Sequence, residues 1–349
     1  MPRKRKTLPK DFDESIKSED ISSLKAIFEK CDIDAYGGYG KQSALGFNDC
    51  PDELSEWLIC NGADIHFTNT YGDTPLHLRA SSWNPKMDVL IKLGADVNIK
   101  NTSGNTPLHS AAGYHKAANA EILLQAGSDI KAVNSSGLSP LEYGLQRCSN
   151  IAIPQMCDLT EVFIKYGVEM TPKMREFVIE IGERFEFHRD NFNKDHIDEY
   201  GNALTKLYSL YHVSPVQRRV VHDGKSSIEL VGDTWEQNYS NLWDYLIPSE
   251  GPALTVQGEV IRIAGRIADE LLRNGGGNWD RAYRQMCNAY IKHIASHNSL
   301  ENDEILTLKG LVSDIDVLMD ETRQLQKFAV KWVSKNTRPI ELSEPSYDR

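Results

Sequence analysis

The motif YGDTPLH at residues 71–77 returns as SGNTPLH at residues 103–109 and, in weaker form, as SGLSPL at residues 136–141. The hydroxyl-bearing residue before each proline recurs after 32 and then 33 residues. Repetition at such a spacing predicts an array of stacked structural units. Within the motif, a threonine or serine can cap free backbone N–H groups, and the proline that follows has no N–H to leave unpaired. Each copy therefore predicts the start of a helix.

A second motif keeps the same spacing, as GADIH at residues 62–66, GADVN at residues 94–98 and GSDI at residues 127–130. We expect its glycine to end a helix, because glycine readily adopts the left-handed backbone found there. Apolar residues at helical spacing fill residues 87–93 and 120–124. Each unit is therefore predicted to be a helix pair that buries its apolar side against neighbouring units.

The two interleaved motifs resemble those of the ankyrin-repeat family over roughly residues 8–170. The resemblance implies a solenoid of helix pairs, in which His77 and His109 hydrogen-bond to backbone or threonine groups of neighbouring repeats. GKQSAL at residues 40–45 is a degraded copy of the first motif, and residues 12–28 lack that motif, as expected of an N-terminal helix pair that caps the array. We predict an all-α fold, an ankyrin-repeat solenoid followed by a helical-bundle domain.

Two departures from the repeat pattern stand out. The last unit is longer than the two before it, which predicts an insertion near residues 148–154, serving either as a partner contact or as slack beside a domain junction. Arg79 occupies the place of Ala111 in the next repeat, where a small packed residue is expected. We expect its guanidinium to reach solvent or an acid, with a structural ion pair favoured over a ligand contact.

The composition, 40% hydrophobic and 26% charged, is close to the globular average and argues against long disorder. The chain has no apolar run long enough for a membrane span, and no apolar stretch follows its basic start, so we expect neither a span nor a secretory signal. The six cysteines are scattered without zinc spacing, which predicts reduced thiols and a cytoplasmic protein.

The charge of the chain is divided unevenly. The formal net charge is −11, and residues 1–10 contain five basic side chains, so the remainder carries −16. We expect this acidic body to repel nucleic acid and anionic membranes. Residues 1–10 are predicted to form a basic, solvated tail, with a nuclear address or a phosphate-contacting arm as alternatives.

The repeat period ends near residue 172, so the ankyrin repeats and their cap are assigned to residues 11–170. Residues 171–232 are interpreted as a helical extension and linker, in which Asp223 and Gly224 give a hairpin signal. Residues 233–340 are predicted to form a helical domain. Its four predicted helices cover residues 235–245, 256–274, 279–296 and 303–334.

Three segments of that domain, residues 242–248, 251–262 and 274–280, resemble a helical module of uncharacterised bacterial proteins, some of which also carry ankyrin repeats. The setting of those proteins suggests defence or toxin immunity. The resemblance therefore implies a bacterial origin and names no chemistry.

Polar residues gather at the starts of two predicted helices of this domain, and they are Gln257, Glu259, Arg262, Asn278 and Asp280. If the fold unites them they form a polar pocket, in which free N–H groups at a helix start favour an anion. A structural interpretation is the alternative. In it Thr255 caps the helix, Glu259 and Arg262 form a surface pair, and Trp279 lies in the core.

No catalytic motif is evident in the sequence. The triple glycine at residues 275–277 lacks the preceding strand and following lysine of a phosphate-binding loop, and no G-x-S-x-G sequence is present. His293 and His297 are spaced like half of a zinc site, without an evident third ligand. We predict no catalytic residue, no cofactor and no metal.

The leading interpretation is a non-enzymatic protein that binds another protein. The ankyrin resemblance implies contacts through hairpin tips and the concave face, where the candidates are Phe67, Tyr71, Ser82, Trp83, Tyr114 and His115. Exposed aromatic residues often anchor interfaces, although Trp83 or Tyr114 could instead pack on a neighbouring repeat. The acidic body would suit a basic toxin, which makes an immunity protein or inhibitor the sharpest version. The alternatives are an enzyme or ligand-binding domain in the C-terminal bundle, and a host-directed bacterial ankyrin effector.

Overall fold

The computed structural model describes residues 3–83, 86–193, 195–343, 345 and 347. Helices dominate these residues and strands are few, so the predicted all-α class is confirmed. No described helix is both long and apolar enough to cross a membrane. The chain divides into two compact units, of which the first comprises residues up to 185 with 193–216 and the second comprises residues 186–192 with those from 217 onward.

The first unit begins with a small sheet that the sequence analysis did not predict. Its elements are β1 (Arg5–Thr7), α1 (Phe12–Ser18), α2 (Ile21–Lys30), β2 (Cys31–Gly37) and β3 (Gln42–Ser43). β1 pairs in parallel with β2, which pairs antiparallel with β3. The helix pair predicted at residues 12–28 is present as α1 and α2.

The prediction of a solvated tail over residues 1–10 does not hold for residues 4–8. The amide of Leu8, a buried residue, donates to the carbonyl of Tyr36 at 2.9 Å, and the ammonium of Lys4 donates to the carbonyl of Phe28 at 2.7 Å. An alternation too short to recognise hid this strand, because only three residues of β1 pair.

The repeats form helix pairs as predicted. The helices are α3 (Asp52–Cys60), α4 (Pro75–Ala80), α5 (Asp88–Lys92), α6 (Pro107–Gly113), α7 (Ala117–Gln125), α8 (Pro140–Gln146) and α9 (Ile153–Lys165). The inner helix α4 packs on α6, and α6 packs on α8. Among the outer helices, α3 packs on α5 and α7 on α9. The degraded motif forms only a 3₁₀ turn at Ala44–Gly46 in place of an inner helix.

The histidines of the repeat motif join neighbouring repeats, which confirms the expected role. The Nδ1 atom of His109 accepts from the amide of Thr106, so its Nε2 atom carries the proton and donates to the carbonyl of Leu138 at 3.0 Å. His77 donates likewise to the carbonyl of Asn105 at 2.9 Å. Burial lowers the pKa of His109 to about 4, because the neutral ring is the form that fits these bonds.

Both expectations for Arg79 are wrong, since its side chain is fully buried and forms no ion pair with any described residue. The guanidinium donates to the carbonyl of Leu45 at 2.9 Å, to the carbonyl of Lys86 at 2.5 Å and to the hydroxyl of Ser55 at 3.0 Å. Burial lowers its pKa. Arg79 therefore ties three chain segments together through neutral oxygen atoms.

Two longer helices follow the repeats, α10 (Pro172–His188) and α11 (Ile197–Tyr211), and α11 packs on α9. The predicted insertion is a 3₁₀ turn at Asn150–Ala152 that leads into α9. The guanidinium of Arg184 donates to the carbonyl of Cys148 at 2.7 Å and fixes the start of this turn. The insertion is thus anchored to the body of the first unit.

The second unit contains α12 (Trp235–Leu246), α13 (Val256–Asn274), α14 (Arg281–Ile294), α15 (Asn302–Ser313), α16 (Ile315–Asp320) and α17 (Thr322–Lys335). Helix α13 is central and packs on α12, α14 and α17. The single helix predicted over residues 303–334 is three helices. Asp314 leaves the helical backbone, with φ −128° and ψ 119°, and its side chain caps the next helix at the amide of Asp316.

The hairpin predicted at Asp223 and Gly224 is absent, since the described residues 213–234 contain no strand. Instead, the carboxylate of Asp223 accepts from the amides of Lys225 and Ser226 in a local turn. The amide of Ile228 donates to the carbonyl of Thr337 at 2.9 Å. Much of the predicted linker therefore belongs to the second unit, which begins at residue 217 rather than at 233.

Candidate functional site

The ankyrin hairpin tips expose two tyrosines at equivalent positions. Tyr39 is 95% exposed and Tyr71, 32 residues later, is 50% exposed. Tyr71 was predicted as a contact residue and Tyr39 was missed, although it precedes the degraded motif just as Tyr71 opens the next copy. The ring of Tyr71 lies close to Gly40, so the two tips are adjacent. They offer a pair of aromatic side chains to a partner.

A second aromatic pair lies where inner helices lead to outer helices. Trp83 is 83% exposed and Tyr114, which directly follows α6, is 58% exposed. The alternative in which these residues pack on neighbouring repeats therefore does not describe them. Large apolar side chains left this open are typical of residues that become buried in an interface.

Lys116 lies beneath Trp83, with its ammonium nitrogen 2.7 Å from the centroid of the indole ring. The residue is only 7% exposed, and none of the described carboxylates forms an ion pair with it. Burial lowers the pKa of Lys116. The indole face partly compensates for the missing counter-ion through a cation–π contact. This pair is a cation that an incoming carboxylate would neutralise.

A half-buried stripe on the inner helices lies between the two aromatic pairs. Leu78, Ser110 and Tyr143 occupy equivalent positions at steps of 32 and 33 residues. The ring of Tyr143 covers Gly113, where an added Cβ would lie 2.6 Å from that ring. Tyr143 was not predicted as a contact residue, although its place one period after Ser110 marks it on the same stripe. The stripe gives the surface a continuous, mixed polar and apolar floor.

The structure uses the other three predicted contact residues differently. The Nε2 atom of His115 lies 3.0 Å from the carbonyl of Gly144, and burial lowers the pKa of that ring. The carbonyl of Ser82 accepts from the side chain of Asn119 at 2.8 Å. Phe67 is half-buried. His115 and Ser82 thus contribute bonds that hold the repeats together.

In the second unit, Glu259 and Arg262 form a buried pair and not the surface pair considered from the sequence. Two nitrogen atoms of Arg262 donate to the two carboxylate oxygens at 2.8 and 2.7 Å, and the hydroxyl of Tyr347 donates to Glu259 at 2.6 Å. Burial alone would raise the pKa of Glu259, but the bonds and charge of Arg262 hold it below its usual value. The carboxylate is therefore ionised and fully engaged.

Gln257 binds the backbone of the segment that follows α17. Its side-chain nitrogen donates to the carbonyls of Asn336 and Arg338 at 2.7 and 2.6 Å, and its oxygen accepts from the amide of Ile340 at 3.1 Å. Thr255 caps α13 as the structural interpretation predicted. The side-chain amide of Gln257 is thus occupied in fixing the C-terminal segment.

Asn278 and Asp280 lie at a different place in the second unit. The amide of Asn278 donates to the carboxylate of Glu270 at 2.6 Å, near the end of α13, while Asp280 caps the start of α14. The five residues predicted to form one polar pocket are therefore divided between the two ends of α13. Trp279 is half-buried and stacks on Tyr283 with ring centroids 5.2 Å apart.

The described residues contain no group of three or more histidine, cysteine, aspartate or glutamate side chains that could hold a metal ion. This applies to the neighbourhood of His293 and His297 as well. Five of the six cysteines are buried, and burial raises the pKa of Cys287 to about 12. These thiols lack the low pKa that nucleophilic catalysis requires.

Comparison with known proteins agrees with the geometry of the first unit. Residues 43–147 match the family model of ankyrin repeats in three copies. The match covers less than a third of the chain and includes both inner-helix aromatic residues, Trp83 and Tyr114. No curated protein matches the chain. Residues 43–147 are thus ankyrin repeats, whose general role is protein–protein interaction.

Proposed function

We propose that the ankyrin repeats bind a partner protein through a surface that runs from Tyr39 and Tyr71 across the inner helices to Trp83 and Tyr114. The exposure of Trp83 and Tyr114 beside the stripe of Tyr143 is the observation that carries this proposal. Rigid aromatic side chains bury a large area at a small entropic cost, and such residues usually dominate binding energy.

The contact at Trp83 selects for a carboxylate on the partner. Lys116 is a nearly buried cation that pairs with no described carboxylate, so an acidic side chain placed beside it gains a strong, charge-assisted interaction. Tyr114 and the indole of Trp83 would enclose that contact and exclude water. The expected hot spot is therefore an aromatic and cationic pair rather than an apolar patch.

The test begins with capture and identification of the partner by chemical crosslinking in the native cell, followed by titration of the purified pair. Trp83→Ala with Tyr114→Ala is expected to weaken binding by about 30-fold or more, since hot-spot truncations cost 2 kcal/mol or more. Ile151→Ala is the matched control, because Ile151 is a 66% exposed apolar residue of the same unit. Equal affinities for the double variant and the control would refute the proposed surface.

The second unit is proposed to act without a reaction centre of its own. Gln257, Glu259 and Arg262 support this view, since each is committed to bonds that hold the fold. A hydrolase or transferase would need at least one such group free to meet substrate. Turnover by the purified protein in a general hydrolase and transferase screen would count against this part of the proposal.

Within the class of binding proteins, we favour a bacterial, cytoplasmic immunity protein or inhibitor over a host-directed effector. The net charge of −16 outside the first ten residues supports a basic partner, such as a toxin, with Lys116 meeting one acidic residue within it. Association with such a partner should slow steeply as salt increases. An association rate that is independent of salt would argue for a neutral partner.

A further inference from the structure

The second unit carries an open cleft of about 550 Å³ that none of the predicted contact residues lines except Arg262. Its walls are the face of α13 from residue 262 to residue 273, one side of α12, the loop at residues 247–251, and residues 187 and 188. This volume is typical of sites that hold a small organic ligand.

The floor of the cleft is apolar and aromatic, with Phe187, Tyr239, Trp243, Ile247 and Leu272 among its lining residues. Gly265 shapes it, because a Cβ at that position would lie 2.1 Å from the Trp243 ring and 2.7 Å from the Tyr239 hydroxyl. The missing side chain lets both rings lie on the backbone of α13. Leu272 remains 64% exposed at the far end, so apolar surface is left uncovered.

The charged residues of the cleft are unequally neutralised. Arg262 is paired with the buried Glu259, and Arg273 is paired with Asp269 at 3.1 Å. Arg266 is exposed and makes no hydrogen bond or ion pair with any described residue. Its guanidinium therefore remains available to a ligand, with five N–H donors in a planar array that suits an oxyanion.

We infer that this cleft binds a small planar organic anion, an aromatic ring system carrying one carboxylate, sulfonate or phosphate group. The ring lies on Trp243, Tyr239 and Leu272, and the anionic group pairs with Arg266. Glu250, on the opposite loop, is the one lining carboxylate without an ion pair among the described residues, and it opposes the anion. Removal of this charge should therefore tighten binding, whereas removal of Arg266 should weaken it.

The inference does not depend on the proposed protein-binding surface, which lies on residues of the first unit. Failure of one leaves the other intact, since Arg266→Gln leaves Trp83 and Tyr114 untouched.

The test uses the full-length protein and two fluorescent probes, anilinonaphthalene sulfonate and its uncharged parent, phenylnaphthylamine. Arg266→Gln is expected to weaken sulfonate binding by about tenfold or more, because hydrogen bonds to charged groups are worth about 1.5 kcal/mol or more. Binding of the uncharged probe should change less than about twofold. Arg266→Lys should retain most of the affinity, and Glu250→Gln should raise it.

Arg284→Gln is the matched control, since Arg284 is an exposed arginine of α14 that does not line the cleft. Hydrogen exchange of the wild-type protein should slow on probe binding at residues 239–251 and 262–273. Equal loss of both probes in Arg266→Gln, no difference from Arg284→Gln, or protection confined to the ankyrin repeats would each overturn the inference.

Discussion

The two units of this protein stabilise themselves in opposite ways. In the ankyrin unit the same device is used in successive repeats, as when Thr74 with His77 and Thr106 with His109 form equivalent capping boxes. In the second unit one central helix, α13, buries polar residues that are each used once. They are Gln257, Glu259, Arg262 and Glu270. Repetition spreads stability over many equal interfaces, whereas the second unit concentrates it in a few long-range bonds.

This difference has an energetic consequence. Loss of one repeat contact should weaken the neighbouring interfaces only, because each repeat contacts its neighbours. Loss of one bond around α13 leaves a charge or polar group in the middle of the core, where no water can replace the partner. The same number of deleted atoms should therefore cost more in the second unit.

Glu259→Ala is expected to give the largest effect, a loss of about 3–5 kcal/mol in the stability of the second unit, because Arg262 stays buried without its partner. Protection against hydrogen exchange should fall across α12, α13, α14 and α17 together. Urea unfolding and native-state hydrogen exchange measure both quantities.

Replacing both partners, as Glu259→Met with Arg262→Met, should recover most of that loss, since no charge is then left unpaired. Arg273→Ala removes half of an exposed pair on the same helix and should cost less than about 0.5 kcal/mol. A loss of similar size for Arg273→Ala and Glu259→Ala would remove the contrast between buried and exposed pairs.

Arg79→Met tests the ankyrin unit at its one non-repeated buried bond set. Three oxygen acceptors would lose their donor, for an expected loss of about 2–3 kcal/mol. Exchange should quicken in α3, α4 and α5 and remain slow in α8. Lys92→Met, at an exposed position of α5, is the matched control. Uniform quickening over all repeats would mean that the stack unfolds as one cooperative unit.

His109 predicts a smaller, pH-dependent effect. Its pKa is about 4 in the folded chain and near 6.5 when unfolded, so only the unfolded state takes up the proton between these values. Stability is therefore complete above about pH 6.5 and falls as the pH drops toward 4, by about 2 kcal/mol at pH 5. His109→Gln should flatten this dependence in thermal melts at pH 5 and 7.5. An unchanged dependence would show that the ring is already protonated in the fold.

Much of the ankyrin unit was predictable because its signals are local. The hydroxyl, proline and histidine that start each inner helix lie within four residues, and the ending glycine follows at a fixed distance, so the spacing alone located α4, α6 and α8. Trp83 and Tyr114 were predicted as contact residues, and their exposure fits that role. Tyr39 was missed because its repeat has a degraded motif, and Tyr143 because its position was not followed through the period.

The candidate polar residues of the second unit were poorly predicted for the opposite reason. Glu259 and Arg262 lie three residues apart in the sequence, which reveals the pair but not its burial. The hydroxyl of Tyr347, 88 residues away, completes the network. Asn278 and Asp280 resembled partners of this pair, yet Glu270 and the start of α14 bind them instead.

The sequence by itself determined the repeat, its period, its caps and the helices of the second unit, because these depend on contacts between residues a few positions apart. Only the tertiary structure decided which charges are buried, which aromatic residues remain open and where Arg266 faces an aromatic cleft. Burial and the meeting of distant side chains depend on how helices pack, and packing is set by the shape of every residue in the interface rather than by any short pattern.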